Sequence, residues 1–262
     1  MNSHKPSILA IDIGSTQTHI AAVCPQKMSC TDRIDFENAE FDTHFSVSIK
    51  QIVSINTQIR RVNITSCIKK MAAKAKEICE DKKTFDEITI IDAQKSLPIT
   101  INYENSHLLG TDRICNAIAC AALFDGQNCI IVDSGTAITV DCLRSGKVFE
   151  GGAILPGVTM QINALHHGTD ALPLVPPVVI STSIPALGTS TAGCIAAGVF
   201  YGAAAAVDRL IAEYLDYLSV DGNSHTQIIT TGGGWRAIEP LIRHKTVNLP
   251  NLTLIGTAIV GI

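Results

Sequence analysis

The chain has 262 residues, 46% of them apolar and 17% charged, with a net charge of −4. That length supports one large domain or two modest ones with a full core, and the composition excludes a disordered chain. The mild acidity excludes a general nucleic-acid binder, which needs a basic field, but leaves small anionic ligands open because local groups can hold them.

The first element is the apolar run Ile8-Leu9-Ala10-Ile11, read as a buried strand. Asp12-Ile13-Gly14-Ser15-Thr16 follows, and then a second strand over residues 18–23. The glycine lets the backbone approach a ligand closely. The Ser15 and Thr16 hydroxyls suit phosphate oxygens, and Asp12, at the strand end, suits a hydrated Mg²⁺. For a single such motif, an ordinary hairpin closed by Asx-turn chemistry is the better reading. Residues 33–36 carry a strand signal. Residues 47–58 and 62–68 read as a helix and a strand, 69–81 as a helix with a solvated charged face, and 87–91 as a strand. Residues 97–103 are extended and lead to Tyr103-Glu104-Asn105 and then Leu109-Gly110-Thr111-Asp112-Arg113. Asp112 and Arg113 open an Ala-rich helix that runs to about residue 124. A carboxylate is favoured there by free backbone N–H groups, and capping is its simplest role.

Residues 125–128 form a turn, and Cys129-Ile130-Ile131-Val132 is a second buried strand. Asp133-Ser134-Gly135-Thr136-Ala137 and a further strand over 138–143 repeat the opening unit, 121 positions after Asp12. Two strand–Asp-x-Gly–strand units half a chain apart point to a duplicated fold with two phosphate-facing hairpins. The stretch from Gly151-Gly152 to Pro156-Gly157 reads as a glycine-rich turn opening a helix over 158–166. The pair His166-His167 marks that helix's end rather than a metal site, because adjacent helical residues point apart. Residues 170–177 form a proline-bounded loop. Leu187-Gly188-Thr189-Ser190-Thr191 caps a long Ala/Gly-rich helix over 192–218. Residues 228–231 form a strand ending in Gly232-Gly233-Gly234 before Trp235 and a helix. Residues 252–255 are read as a last strand before a short terminal helix.

Nine cysteines without C-x-x-C spacing give no zinc grid and read as buried free thiols in a reducing compartment. Residues 1–7 are short and polar, and Asp12 interrupts the apolar run behind them, so no signal peptide is expected. The apolar stretch 194–207 is too short for a membrane span. A soluble cytoplasmic protein is expected, with no nucleic-acid or membrane partner.

Taken in order, these motifs resemble the type III pantothenate kinases of the actin, Hsp70 and sugar-kinase superfamily. Asp12-Ile13-Gly14-Ser15-Thr16 resembles the first phosphate motif of that family. Tyr103-Glu104-Asn105 with Gly110-Thr111-Asp112-Arg113 resembles its pantothenate motif, including the seven-residue offset from Tyr103 to Gly110, and Asp133-Ser134-Gly135-Thr136-Ala137 resembles its second phosphate motif. Gly151-Gly152, Pro156-Gly157, residues 188–191 and Gly232-Gly233 also fall in family order. This chain has Ser15 where the family usually has Asn, Thr111 where Ala is usual, and Ser106 where Pro is common.

The resemblance implies a duplicated ribonuclease H-like α/β fold of the actin-like ATPase type, with halves at 1–113 and 114–262 and a cleft between them. It implies ATP-dependent phosphorylation of pantothenate to 4′-phosphopantothenate, the first step of coenzyme A biosynthesis. Asp112 would be the proton acceptor. Tyr103, Gly110, Thr111, Asp112, Arg113 and Thr191 would hold pantothenate. Asp12, Ile13, Gly14, Ser15, Thr16, Gln17, Thr18, His19 and Thr136 would hold ATP, with Mg²⁺ on Asp12 through water. Asp133 would hold a monovalent cation, K⁺ or NH₄⁺. A homodimer sharing its site is implied, and the small residues of the helices at 114–123 and 192–218 would permit close packing. The alternatives are a non-catalytic regulatory relative that binds nucleotide or pantothenate, and a kinase of the same superfamily with another substrate.

Overall fold

In the computed structural model, which describes residues 5–94, 96–176, 184–220 and 225–260, the first apolar run becomes strand β1 (Ile8–Ile13). It shows no polar alternation because it is covered on both faces. Leu9, Ile11 and Ile13 enter one apolar cluster, while Ile8 and Ala10 enter another. Strand β2 (Gln17–Cys24) pairs antiparallel with β1, and β3 (Ser29–Glu37) pairs antiparallel with β2. Helix α1 (Phe41–Ile55) begins six residues earlier than expected. Phe41, Phe45, Ile49 and Ile52 recur at helical spacing and bury one stripe in the first cluster. Strand β4 (Arg61–Ser66) lies parallel to β1, helix α2 spans Lys69–Asp81, and β5 (Glu87–Ile90) lies parallel to β4. Of the extended stretch 97–103, only β6 (Thr100–Ile101) is paired. Helix α3 (Thr111–Leu123) follows.

Strand β7 (Asn128–Ser134) then pairs antiparallel with β8 (Ala137–Arg144). Strand β9 (Val148–Pro156) runs through Gly151 and Gly152, where a turn was expected. Gly152 sits where neighbours approach closely, since a Cβ there would meet the Val140 carbonyl and Asp141, and Gly151 takes a φ of +104°, which favours glycine. Helix α4 (Val158–His167) ends at the His pair as expected. Residues 170–176 carry no helix or strand, and Pro177, the expected end of that loop, lies outside the described residues. Helix α5 (Thr191–Ser219), β10 (Thr226–Thr231), the short α6 (Trp235–Ile238), β11 (Val247–Asn248) and α7 (Leu252–Ile259) complete the chain. Helix α5 is long and apolar enough to cross a membrane by length and composition, yet half of its most apolar window is buried in the protein. Its Ile195, Val199, Phe200, Val207 and Ile211 share a core with Val132, Val140 and Trp235.

Contacts divide the chain into two units. The first holds residues 1–126, 146–150 and 251–262, and the second holds 127–145 and 151–250. The chain first passes from one unit to the other after Gly126. The strand order β3-β2-β1-β4-β5 of the first unit recurs as β9-β8-β7-β10-β11 in the second. In each, the second strand is antiparallel to the first and the fourth is parallel to it.

Residues 252–255 are helical, not a strand. The run is mostly apolar because most of α7 is covered: Leu254 and Ala258 pack on β1, and the Asn63 amide donates to the Thr257 and Val260 carbonyls at 2.9 Å each. Gly256 lies against the Cys115 backbone of α3. The small residues of α3 are thus used inside the first unit, and its side chains from Arg113 to Cys120 are all buried. Gly256→Ala would press a methyl into the Cys115 carbonyl. It should cost about 1–3 kcal/mol or more, lowering Tm by several degrees in a thermal melt. An unchanged melt would mean that α7 slides freely on α3.

All nine cysteines are free. Cys67 and Cys194 are exposed, which departs from the expectation that every thiol is buried.

Candidate active site

The first unit gathers most of the residues singled out above. Asp12 is the penultimate residue of β1, 9% exposed, with His19 across from it on β2 and Thr65 beside it on β4. The turn beyond it is closed by a Gly14 N–H donating to the Gln17 carbonyl at 2.9 Å. Ser15, Thr16 and Gln17 are exposed. The Ile13 side chain lies in the core, and the Thr18 hydroxyl donates to Asn38 at 2.7 Å, so these two can offer a nucleotide only backbone. His19 is held by Asp35 at 2.8 Å, which also accepts from Arg33 Nε. Burial would raise the Asp35 carboxyl, but the hydrogen bonds from His19 and Arg33 outweigh it and hold it at about 2.

Helix α3 supplies the second carboxylate. Gly110 is its N-cap residue, and Asp112 lies in the first turn with its Oδ1 accepting the Arg113 N–H at 2.8 Å. A side chain on Gly110 would strike Asp112, so the glycine leaves that carboxylate its place. The Thr111 hydroxyl accepts from Thr65 Oγ1 at 2.7 Å and from the Ser66 N–H at 3.2 Å, which pins the helix start to the end of β4. Cys67, just past β4, is exposed as a residue but its sulfur is partly shielded: that partial burial, then the charges of Asp112 and Asp12, push its thiol up. Both carboxylates therefore lie within electrostatic reach of one thiol.

Arg113 is 5% exposed. Its guanidinium lies 5.6 Å from the Phe149 ring centre and 6.0 Å from that of Tyr103. Pairing of β6 with β9 makes this packet: Ile101 faces Phe149 in register, the Asn102 N–H donates to the Phe149 carbonyl at 2.9 Å, and Tyr103 follows. Sequence motifs give no hint of Phe149, which joins the site through strand pairing alone.

In the second unit, Asp133 lies near the end of β7, with Thr139 opposite it on β8 and Thr231 beside it on β10. Gly135 and Thr136 form the exposed turn, closed by Gly135 N–H to the Ala137 carbonyl at 2.9 Å. Gly157 packs on the carbonyls of that turn, and its N–H donates to the Thr136 carbonyl at 3.0 Å. Gly232, with φ of +88°, packs on Ser134 and Asp133, where a side chain would collide. Among the described residues the buried Thr139 Oγ1 has no hydrogen-bond partner. Thr191 is the exposed first residue of α5, behind Ser190, whose Oγ accepts the Gly193 N–H at 3.1 Å.

Two copies of one five-strand order, each opening on an Asp-x-Gly turn, define the duplicated ribonuclease H-like fold of the actin-like ATPases and sugar kinases. A crystal structure from Campylobacter jejuni, assigned to the Baf family of transcriptional activators, shares the fold with a TM-score of 0.53 at 20% identity, over 95% of this chain and 94% of that one. The model of the type III pantothenate kinase family matches residues 8–213, and the chain belongs to that family. A type III pantothenate kinase from Cytophaga hutchinsonii is 36% identical over 176 residues, 66% of this chain and 71% of the relative. Another, from Endomicrobium trichonymphae, is 27% identical over 263 residues, 96% of this chain and 97% of the relative.

Proposed function

We propose that the protein transfers the γ-phosphoryl group of ATP to the primary hydroxyl of pantothenate, yielding 4′-phosphopantothenate and ADP in the first step of coenzyme A biosynthesis. Family membership supports the substrates. The observation that carries the site is the grouping of Asp12, its exposed turn, Asp112 and the ring-packed Arg113 within one unit.

Asp112 accepts the hydroxyl proton as the pantothenate oxygen bonds to the γ-phosphorus and the bond to the bridging oxygen of ADP breaks. The transition state is loose, so proton removal comes late and a weak, well-placed carboxylate suffices. Arg113, with Tyr103 beside it, pairs with the substrate carboxylate, for which a guanidinium has the matching fork. Thr111, Gly110 and Thr191 complete the pantothenate set. The turn from Asp12 to His19 and Thr136 hold ATP. Asp12, a buried carboxylate at a strand end, suits water-mediated Mg²⁺, which when bound neutralises phosphate charge. Asp133 and the buried Thr139 hydroxyl share one face of adjacent strands and offer oxygen donors for K⁺ or NH₄⁺.

The test is ADP release with and without pantothenate, in K⁺ and in Na⁺. Release should require pantothenate and be faster in K⁺, since a smaller ion fits the same oxygens poorly. Release without pantothenate points to another acceptor, and equal rates in the two salts remove the cation from Asp133.

Family resemblance supports a homodimer. Ile154 on β9 and Met160 and Leu165 on α4 are exposed apolar side chains that a second copy would cover. Sedimentation should find a dimer, and a fully active monomer would reject a shared site.

A further inference from the structure

The turn after β1 closes through one backbone hydrogen bond, from Gly14 N–H to the Gln17 carbonyl. Further support comes from Asn38, the residue just past β3. The Asn38 backbone N–H donates to the Thr16 carbonyl at 2.8 Å. Its Nδ2 donates to the Gly14 carbonyl at 2.9 Å, and its Oδ1 accepts the Thr18 hydroxyl at 2.7 Å. The amide has no choice of orientation: a carbonyl only accepts, so the NH₂ must face Gly14 and the oxygen is left for Thr18. Strand pairing delivers it, since Gln17 faces Glu37 and Thr18 faces Phe36 in the β2–β3 ladder, and Asn38 is the next residue.

In a trans peptide, the C=O and N–H of one unit point in opposite directions. No cis peptide occurs among the described residues. Holding the Gly14 carbonyl against Asn38 therefore aims the Ser15 N–H away from Asn38. Holding the Thr16 carbonyl does the same for the Gln17 N–H. Ser15, Thr16 and Gln17 are the exposed part of the turn.

We infer that Asn38 is a positioning residue for ATP, setting the two peptide planes whose N–H groups receive phosphate oxygens. The inference rests on the assignment of this turn to ATP made above. Without the side-chain amide, the Gly14–Ser15 plane must be ordered when nucleotide binds, while the backbone N–H still holds the Thr16 carbonyl; the cost falls on nucleotide affinity and not on the chemical step.

The experiment uses the full chain with Asn38→Ala and Asn38→Asp. The Asp variant keeps an acceptor for Thr18, so the hairpin retains support, but it sets a carboxylate oxygen against the Gly14 carbonyl. The KM for ATP should rise about tenfold in the Ala variant, the loss of one or two hydrogen bonds, and further in the Asp variant. The KM for pantothenate and kcat at saturating ATP should change by less than about twofold. Calorimetric titration with MgATP, without pantothenate, should show the same loss of affinity. Ser15→Glu is measured alongside, because a negative charge in the turn must repel phosphate if the turn holds it. Normal ATP affinity in both Asn38 variants while Ser15→Glu binds weakly overturns the role of Asn38 alone. Normal affinity in Ser15→Glu removes the nucleotide from this turn, and the inference with it. A lowered Tm with unchanged ATP affinity reduces Asn38 to a hairpin clamp.

Discussion

Asp112→Asn should lower kcat by about 10²–10⁴-fold, the usual worth of a general base, in a protein that melts like the parent. The expectation follows from what Asp112 does and does not do structurally. It is not the N-cap, a position held by Gly110. Its one local bond accepts the Arg113 N–H through Oδ1, and an Asn side-chain oxygen can accept the same bond. Helix α3 is also pinned independently, by the Thr111 hydroxyl to Thr65 and Ser66. The substitution therefore removes the charge and the basicity while leaving the geometry. Steady-state kinetics with a thermal melt decides it. A near-normal kcat would return Asp112 to a purely local role and require another base.

Arg113→Lys should lower kcat/KM for pantothenate about 10²-fold, as two charge-assisted hydrogen bonds of a planar fork become one point contact. The KM for ATP should stay where it is. The guanidinium lies near the Phe149 and Tyr103 rings, and a guanidinium has a flat face that can stack on such rings. An ammonium has no such face. The decisive control is the alcohol analogue of pantothenate, in which CH₂OH replaces the carboxylate. The parent and the Lys variant should differ far less on that acceptor. Equal losses on both acceptors would show that Arg113 does not read the carboxylate.

These two residues also mark how far the site was legible. Asp112 and Arg113 stand in a contiguous motif, and helix α3 begins where the motif places them. Phe149 and Asn38 stand in no motif. Phe149 is 36 positions from Arg113 in the chain and reaches it because β6 pairs with the start of β9. Asn38 reaches the first turn because β3 returns along β2. Pairing of strands is non-local, so residues it recruits leave no local trace.

The sequence by itself determined the elements whose causes are short-range. Each Asp-x-Gly turn needs a glycine and adjacent hydroxyls. Helix α2 follows from its charged, strong helix-forming composition, and the end of α4 falls at its His pair. The repeat of the strand–turn–strand unit disclosed the duplication, and the strand orders agree with it. Tertiary structure decided what period and composition leave degenerate. A short, mostly apolar run is compatible with strand or helix. Residues 252–255 became helix because Gly256 lets α7 approach the α3 backbone and Asn63 takes up its last carbonyls. Gly151 and Gly152 became strand because β8 lies too close for any side chain at Gly152. In both cases the deciding energy comes from close packing between segments distant in sequence, which local preference cannot encode.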